Sequence, residues 1–322
     1  MEYNKVPIVM ICDENFAMQT KVALTSLWLN KNQETIYDVY VIAVECGSTS
    51  VKTLEAMQQA GFSVSIIKAT TEQFSHINQI SHVSLACLYK FNICDLIPGY
   101  DKILYLDGDI IVRGDLSGLY ATNLGKNYVA GVAHSLGIIS GERKINGGVL
   151  LFNAAKIREE NLKEAFIRTR EQLGDRKSMD QETFHLVFGE SKVFLPPKYN
   201  VMMDKIDYEK KYYSLKEYNH FYGTCYKTRE EIFSSALIMH FTGSIKPWKY
   251  TFAKGFKEWY RYYQSAYGDA HRLNLKDRKD FLCQEIKKNG WRSLYWLLKD
   301  KGLAFMGEYF HLYLDKSYGT WN

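Results

Sequence analysis

A chain of 322 residues with 41 Lys and Arg against 36 Asp and Glu carries a net charge of only +5. That length suits one large α/β domain with an appendage, and the charge is too mild to argue for a nucleic-acid partner. No window reaches the roughly 18 apolar residues of a spanning helix, and the apolar run between Met1 and Cys12 is too short for a signal peptide, so a cytoplasmic location is expected.

Taken in order, Pro7 to Ile11 reads as a first strand ending in the polar cluster Asp13-Glu14-Asn15. A helix is expected from Ala17 to Leu29, with Met18, Val22, Thr25 and Leu29 along one stripe. Val39 to Val44 is a second strand. Thr49 to Ala60 is a second helix, stopped by Gly61. Phe62 to Ile67 is a third strand, and Ser84 to Ile97 a third helix ended by Pro98-Gly99. The buried strand Lys102 to Leu106 follows, closed by Asp107-Gly108-Asp109, and then the apolar run Ile110 to Val112. Strands alternating with helices predict a mostly parallel sheet flanked by helices, with ligands at the carboxyl ends of strands where their order reverses.

The pattern continues with strands at Tyr128 to Ala133 and Val149 to Asn153, the latter led in by Asn146-Gly147-Gly148. Helices are expected from Ala154 to Leu173 and from Ser178 to Val187. Short strands are expected at Val193 to Leu195 and Leu237 to His240, and the tyrosine-rich stretch 208–231 has no clear assignment. After residue 255 the composition shifts, which divides the chain into a main domain, 1–255, and a helical basic and aromatic region, 256–322. The six cysteines (Cys12, Cys46, Cys87, Cys94, Cys225, Cys283) form no C-x-x-C pair, so reduced thiols are expected rather than a zinc site.

Two carboxylates one residue apart at the end of a buried strand are costly to desolvate as a bare pair. A divalent cation removes that cost, and Gly108 leaves room for close approach. His240 ends a second apolar run and could be a third ligand or a satisfied structural histidine. Two acids with one histidine suit Mn²⁺ or Mg²⁺. The loop Gly243-Ser244-Ile245-Lys246-Pro247-Trp248 follows. A glycine turn offers backbone N–H groups and Lys246 a point charge, both suited to a diphosphate, and Trp248 could cover a bound ligand. Neither G-x-x-x-x-G-K-[ST] nor G-x-G-x-x-G after the first strand is present, which disfavours P-loop and classical dinucleotide folds.

The ordered set Leu104 to Asp109, Asn146 to Asn153, Asp180-Gln181-Glu182 and His240 to Trp248 resembles the family 8 retaining glycosyltransferases. The bacterial members that extend lipopolysaccharide with galactose or glucose are nearest in pattern, over about Val6 to Tyr250. The resemblance implies a GT-A fold and a hexosyltransferase moving galactose or glucose from a UDP-sugar to a glycan or glycolipid acceptor. It also implies Mn²⁺ on Asp107, Asp109 and His240, and uridine near Ile11, Asp13 and Asn15. Gly243, Lys246 and Trp248 would lie at the diphosphate. Asn146 and Asp180 would hold hydroxyls of the transferred sugar, and Gln181 would sit beside the anomeric carbon. A neutral amide is a poor nucleophile, which favours front-face transfer, with a covalent intermediate on Asp180 or Glu182 as the alternative. Standing alone, Asp180 and Glu182 read as an acidic first helical turn, favourable with the macrodipole; the resemblance turns that reading toward the sugar site.

Lys90 stands where the family usually has an arginine and loses its bidentate geometry. His134 stands where many members have an aspartate, and His82 could line the acceptor side. From Ile286 onward, six basic residues (Lys287, Lys288, Arg292, Lys299, Lys301, Lys316) face three acids amid Trp, Tyr and Phe. Such a helix suits an anionic membrane interface on the inner face of the plasma membrane, or packing on the main domain or a second copy. Competing readings are a metal-dependent nucleotidyltransferase or phosphohydrolase, which has no use for Gln181, and a non-catalytic nucleotide-sugar-binding protein, which need not keep every metal ligand.

Overall fold

The computed structural model describes residues 4–77, 84–174, 180–206, 213–277 and 280–281. It divides into two compact units, one of Met1–Thr242 with Tyr262–Gly268, the other of Gly243–Arg261 with Asp269–Asn322. His82 and the basic stretch beyond Ile286 lie outside the described residues.

The first unit is built on a seven-stranded sheet. Its strands are β1 (Asn4–Asp13), β2 (Thr35–Val44), β3 (Phe62–Ala69), β4 (Lys102–Leu106), β6 (Val129–Ala133), β7 (Ile145–Asn153) and β8 (Lys192–Phe194), in the order β3-β2-β1-β4-β7-β6-β8. Along β1, Val6, Ile8, Met10 and Cys12 enter one apolar cluster while Val9 and Ile11 enter another. Alternate residues of one strand therefore feed cores on both faces, which is why these strands read as continuous apolar runs. A smaller sheet joins β5 (Ile110–Val112), β10 (Ile238–His240) and β9 (Val201–Met202) in the order β5-β10-β9.

The sheet is mixed. β1 runs parallel to β2 and β4, β2 to β3, and β6 to β8, but β7 is antiparallel to both β4 and β6. The connection 134–144 between β6 and β7 is short, and a parallel return needs a crossover of a dozen residues or more.

Several elements differ from expectation. The second helix is Ser48–Glu55, not 49–60. Gly61 (φ +70°) instead belongs to the turn into β3, where its carbonyl accepts from the Tyr37 N–H at 3.1 Å. The segment expected as one helix over 84–97 is a 3-10 helix, Leu85–Phe91, followed by a short α-helix, Ile93–Leu96. The expected helix 154–173 is two helices, Ala154–Glu159 and Leu162–Leu173, broken where Asn161 takes φ +51°. The stretch 208–231 contains the helix Leu215–Tyr222 and the start of the helix Arg229–Ser235.

In the second unit, Trp248 packs on Trp259 with ring centroids 5.8 Å apart. Phe281 packs edge-on against Tyr250 and Phe252. Among the described residues no helix is long and apolar enough to cross a membrane.

Candidate active site

Strand order reverses between β1 and β4, because β2 and β3 extend one way from β1 and β4 the other. A crevice for ligands is expected outside the carboxyl ends of these two strands, and there the chain places Asp13 and Asp107. The Asp107-Gly108-Asp109 turn bridges the two sheets. The Asp107 N–H donates to the Gly148 carbonyl of β7 at 2.8 Å, and the Asp109 carbonyl accepts from the Phe241 N–H at 2.9 Å. His240 pairs with Ile110 in the β5–β10 ladder. Two separate ladders thus bring residues 107, 109 and 240 together. Gly108 is required where the chain passes the helix Ala17–Leu29: a Cβ there would lie 2.7 Å from Thr20 Oγ1.

His240 Nε2 lies 3.2 Å from Asp109 Oδ1 and 3.6 Å from Asp107 Oδ2. One ligand atom from each of the three residues lies within 4.8 Å of the other two. The other Asp107 oxygen, Oδ1, accepts from the Tyr105 hydroxyl at 2.5 Å and pairs with Lys90 at 3.2 Å, which leaves Oδ2 turned toward the histidine. Two carboxylates and an imidazole converging here, with Asp109 and His240 buried and Asp107 partly so, fit a divalent cation that accepts hard oxygen ligands plus one nitrogen.

Lys90 is the second centre of charge. Its buried ammonium sits 2.5 Å from Asp180 Oδ2 and donates to the Gly147 carbonyl at 3.1 Å, with the Tyr105 ring 4.7 Å away. Burial alone would push this amine down, but the carboxylates of Asp107 and Asp180 outweigh it and hold it well above the ordinary lysine value. Asp180 stands at the N-cap of the helix Gln181–Phe188 yet makes no cap hydrogen bond with its side chain. Its carboxylate faces Lys90 instead, which an acidic first turn would not require. Glu182 is paired with Lys144 at 3.1 Å. Asn146, at the start of β7, is buried and directs Nδ2 toward Gln181 Oε1 at 3.5 Å.

At the end of β1, Ile11 is buried and Asp13 accepts from the Phe16 N–H at 3.2 Å, capping a short 3-10 turn. Asn15 is exposed. Glu14 accepts from the Gly47 N–H and the Ser50 hydroxyl, joining this turn to the start of the helix Ser48–Glu55. His134 follows β6. Burial, with Lys205 nearby, pushes its imidazole down to about 4, and its Nδ1 accepts from the Leu136 N–H at 3.1 Å. In the second unit, Gly243 has φ +77°, and Lys246 lies 5.3 Å from the ring of Trp248, which is itself buried. Sequence reading passed over Asn200, whose carbonyl oxygen is 2.9 Å from His240 Nδ1. Nothing in the stretch Pro197-Lys198-Tyr199-Asn200 marks it in one sequence alone.

Residues 7–251 match the family model described as Glycosyl transferase family 8. General stress protein A of Bacillus subtilis (strain 168) is 24% identical over 275 residues, covering 80% of this chain and 92% of that protein. Glycosyltransferase GlyE of Streptococcus pneumoniae serotype 4 is 26% identical over 256 residues, covering 77% of this chain; the chain spans 58% of its length. The crystal structure of the galactosyltransferase LgtC in complex with donor and acceptor sugar analogs superposes with a TM-score of 0.67 at 20% identity. That match covers 89% of this chain and 99% of LgtC. The mixed sheet flanked by helices is thus a GT-A-type fold, and the chain belongs to glycosyltransferase family 8.

Proposed function

We propose that the chain is a retaining hexosyltransferase. It would move galactose or glucose from a UDP-sugar to a glycan or glycolipid acceptor, with Mn²⁺ or Mg²⁺ on Asp107, Asp109 and His240. The observation that carries this reading is the convergence of those three side chains at the strand-order reversal. Bound there, the cation would balance the negative charge developing on the departing diphosphate. Ile11, Asp13 and Asn15 would hold the uridine. The loop that follows His240 directly in the chain would offer Gly243, Lys246 and Trp248 to the diphosphate. Asn146 and Asp180 would fix hydroxyls of the sugar. The acceptor class proposed, a lipopolysaccharide or other cell-surface saccharide, rests on the resemblance to lipopolysaccharide-extending members.

Both carboxylates near Gln181 are engaged by ammonium groups, Asp180 by Lys90 and Glu182 by Lys144. A carboxylate so paired is a weak nucleophile, which supports front-face transfer. In that route the acceptor hydroxyl attacks the anomeric carbon from the side the diphosphate leaves, its proton passes to the diphosphate, and the Gln181 amide dipole steadies the positive charge at the anomeric carbon. The test incubates the protein with Mn²⁺ and a panel of UDP-sugars and oligosaccharide acceptors, following UDP release and the product's anomeric configuration by NMR. An α-linked product from an α-linked donor is expected, lost in Asp109→Ala. Release of UMP or inorganic phosphate in place of UDP, or an inverted product, would overturn the proposal.

A further inference from the structure

The two ring nitrogens of His240 face different partners. Nε2 faces Asp107 and Asp109, while Nδ1 lies 2.9 Å from Asn200 Oδ1. Which nitrogen carries a proton depends on how the Asn200 amide is turned, and an amide can be turned either way. Here a backbone group decides it. The Gly148 N–H can only donate, and it points at Asn146 Oδ1 at 3.0 Å. Asn146 therefore presents its carbonyl oxygen at that end. The same oxygen lies 2.8 Å from Asn200 Nδ2, so Asn200 presents its amide N–H there and its carbonyl to His240. A carbonyl only accepts, so Nδ1 must donate, and Nε2 is the nitrogen left facing the two aspartates, where a cation would bind. Asn146, Asn200 and His240 are all nearly or wholly buried, so water does not compete for these bonds.

We propose that Asn200 is a positioning residue. Together with Asn146 it transmits the fixed polarity of the Gly148 N–H to His240, holding the imidazole with Nδ1 protonated and Nε2 available to a divalent cation. The same polarity turns Asn146 Nδ2 toward Gln181 Oε1, so one N–H orients groups at the metal cluster and at the residue beside the sugar. Partners of this kind orient metal-bound histidines, and their loss typically costs about 10- to 100-fold in metal affinity. The inference rests on the metal reading above for its consequence, but the position of the ring proton is independent of it.

The test uses the full chain with ¹⁵N-labelled histidine. In the metal-free wild type, two-bond ¹H–¹⁵N spectra are expected to show His240 with a proton on Nδ1 that exchanges slowly with solvent. In parallel, Mn²⁺ binding is measured directly from the EPR signal of free ion. Asn200→Leu keeps the branched shape but removes the acceptor, and is expected to speed exchange of the Nδ1 proton and weaken Mn²⁺ binding about 10- to 100-fold. Asn200→Asp loses the donor to Asn146 Oδ1 but keeps an acceptor facing Nδ1, and is expected to keep the His240 proton on Nδ1 in the same spectra. A wild-type spectrum with Nδ1 unprotonated and the proton on Nε2 overturns the proposal even if no variant folds. So does Asn200→Leu with unchanged Mn²⁺ affinity, or Asn200→Asp with no proton on His240 Nδ1. Absence of any Mn²⁺ binding by wild type would sink the metal reading, while the ring-proton measurement would still decide the role of Asn200.

Discussion

At the scale of single residues the site is governed by how buried charges are paired. Lys90 shows this most clearly. Its ammonium lies between Asp107 and Asp180, and its ordinary value is raised rather than lowered by the burial site it occupies. The stability it contributes is complete below the unfolded lysine value and fades only as pH climbs through the higher folded one, so Lys90 keeps its charge across neutral pH. His134 has the opposite sign. Burial and Lys205 push its folded value down to about 4 from 6.5, so the unfolded chain takes up a proton first as pH falls. Its contribution is whole above about pH 6.5 and declines between there and about pH 4. Urea denaturation of His134→Gln is therefore expected to lose less stability than wild type between pH 7 and pH 4.5. Parallel stability curves for the two proteins would contradict this assignment.

At the scale of elements, β7 does the most to shape the site. Asn146, Gly147 and Gly148 enter it in sequence, and each position is tightly constrained. A Cβ on Gly147 would stand 3.0 Å from both Asp180 Oδ2 and Gln181 Cγ, and one on Gly148 would stand 2.1 Å from His240 Cε1. Gly148→Ala is thus expected to displace the imidazole, to destabilise the fold by about 1–3 kcal/mol, and to abolish Mn²⁺ binding seen by calorimetry. Retained binding with wild-type affinity would show that the strand can yield.

Much of this was legible beforehand because it is local. The helix Ala17–Leu29 and the strand Lys102–Leu106 carry their own periodicity and end signals, and fall where the sequence puts them. The Asp-Gly-Asp turn announces its chemistry through two acids on a buried strand. What escaped reading divides into two kinds. The helices Leu215–Tyr222 and Arg229–Ser235 had signals that were passed over. Ser214 with Glu217 forms a capping box, and the Thr228 hydroxyl accepts from the Glu231 N–H. The antiparallel β7, the left-handed Asn161 and the reach of Asn200 to His240 depend on contacts distant in sequence, which no window contains. Lys90 read as an imperfect arginine; its role as a buried counter-ion to two carboxylates follows only from the packing of the segment Leu85–Phe91 against the site.

At the scale of the whole molecule, the first unit carries Asp107, Asp109, His240, Lys90, Asn146, Asp180 and Gln181, while Gly243, Lys246 and Trp248 belong to the second. The basic, aromatic residues beyond Ile286 are proposed to bring the protein to an anionic membrane surface and so to a lipid-linked acceptor. Chain ended after Asp280 is expected to lose sedimentation with phosphatidylglycerol vesicles that full-length protein shows at low salt. Full-length protein that ignores such vesicles would sink that proposal without touching the site. Everything else depends on one cation being held where two distant parts of the chain, 107–109 and His240, converge. Anomalous diffraction at the manganese edge, from crystals grown with Mn²⁺ and UDP, tests this most directly. The account predicts a single strong peak bonded to Asp107, Asp109 and His240 Nε2, with the diphosphate on its open side; a peak bonded to other groups, or none between those side chains, would contradict it.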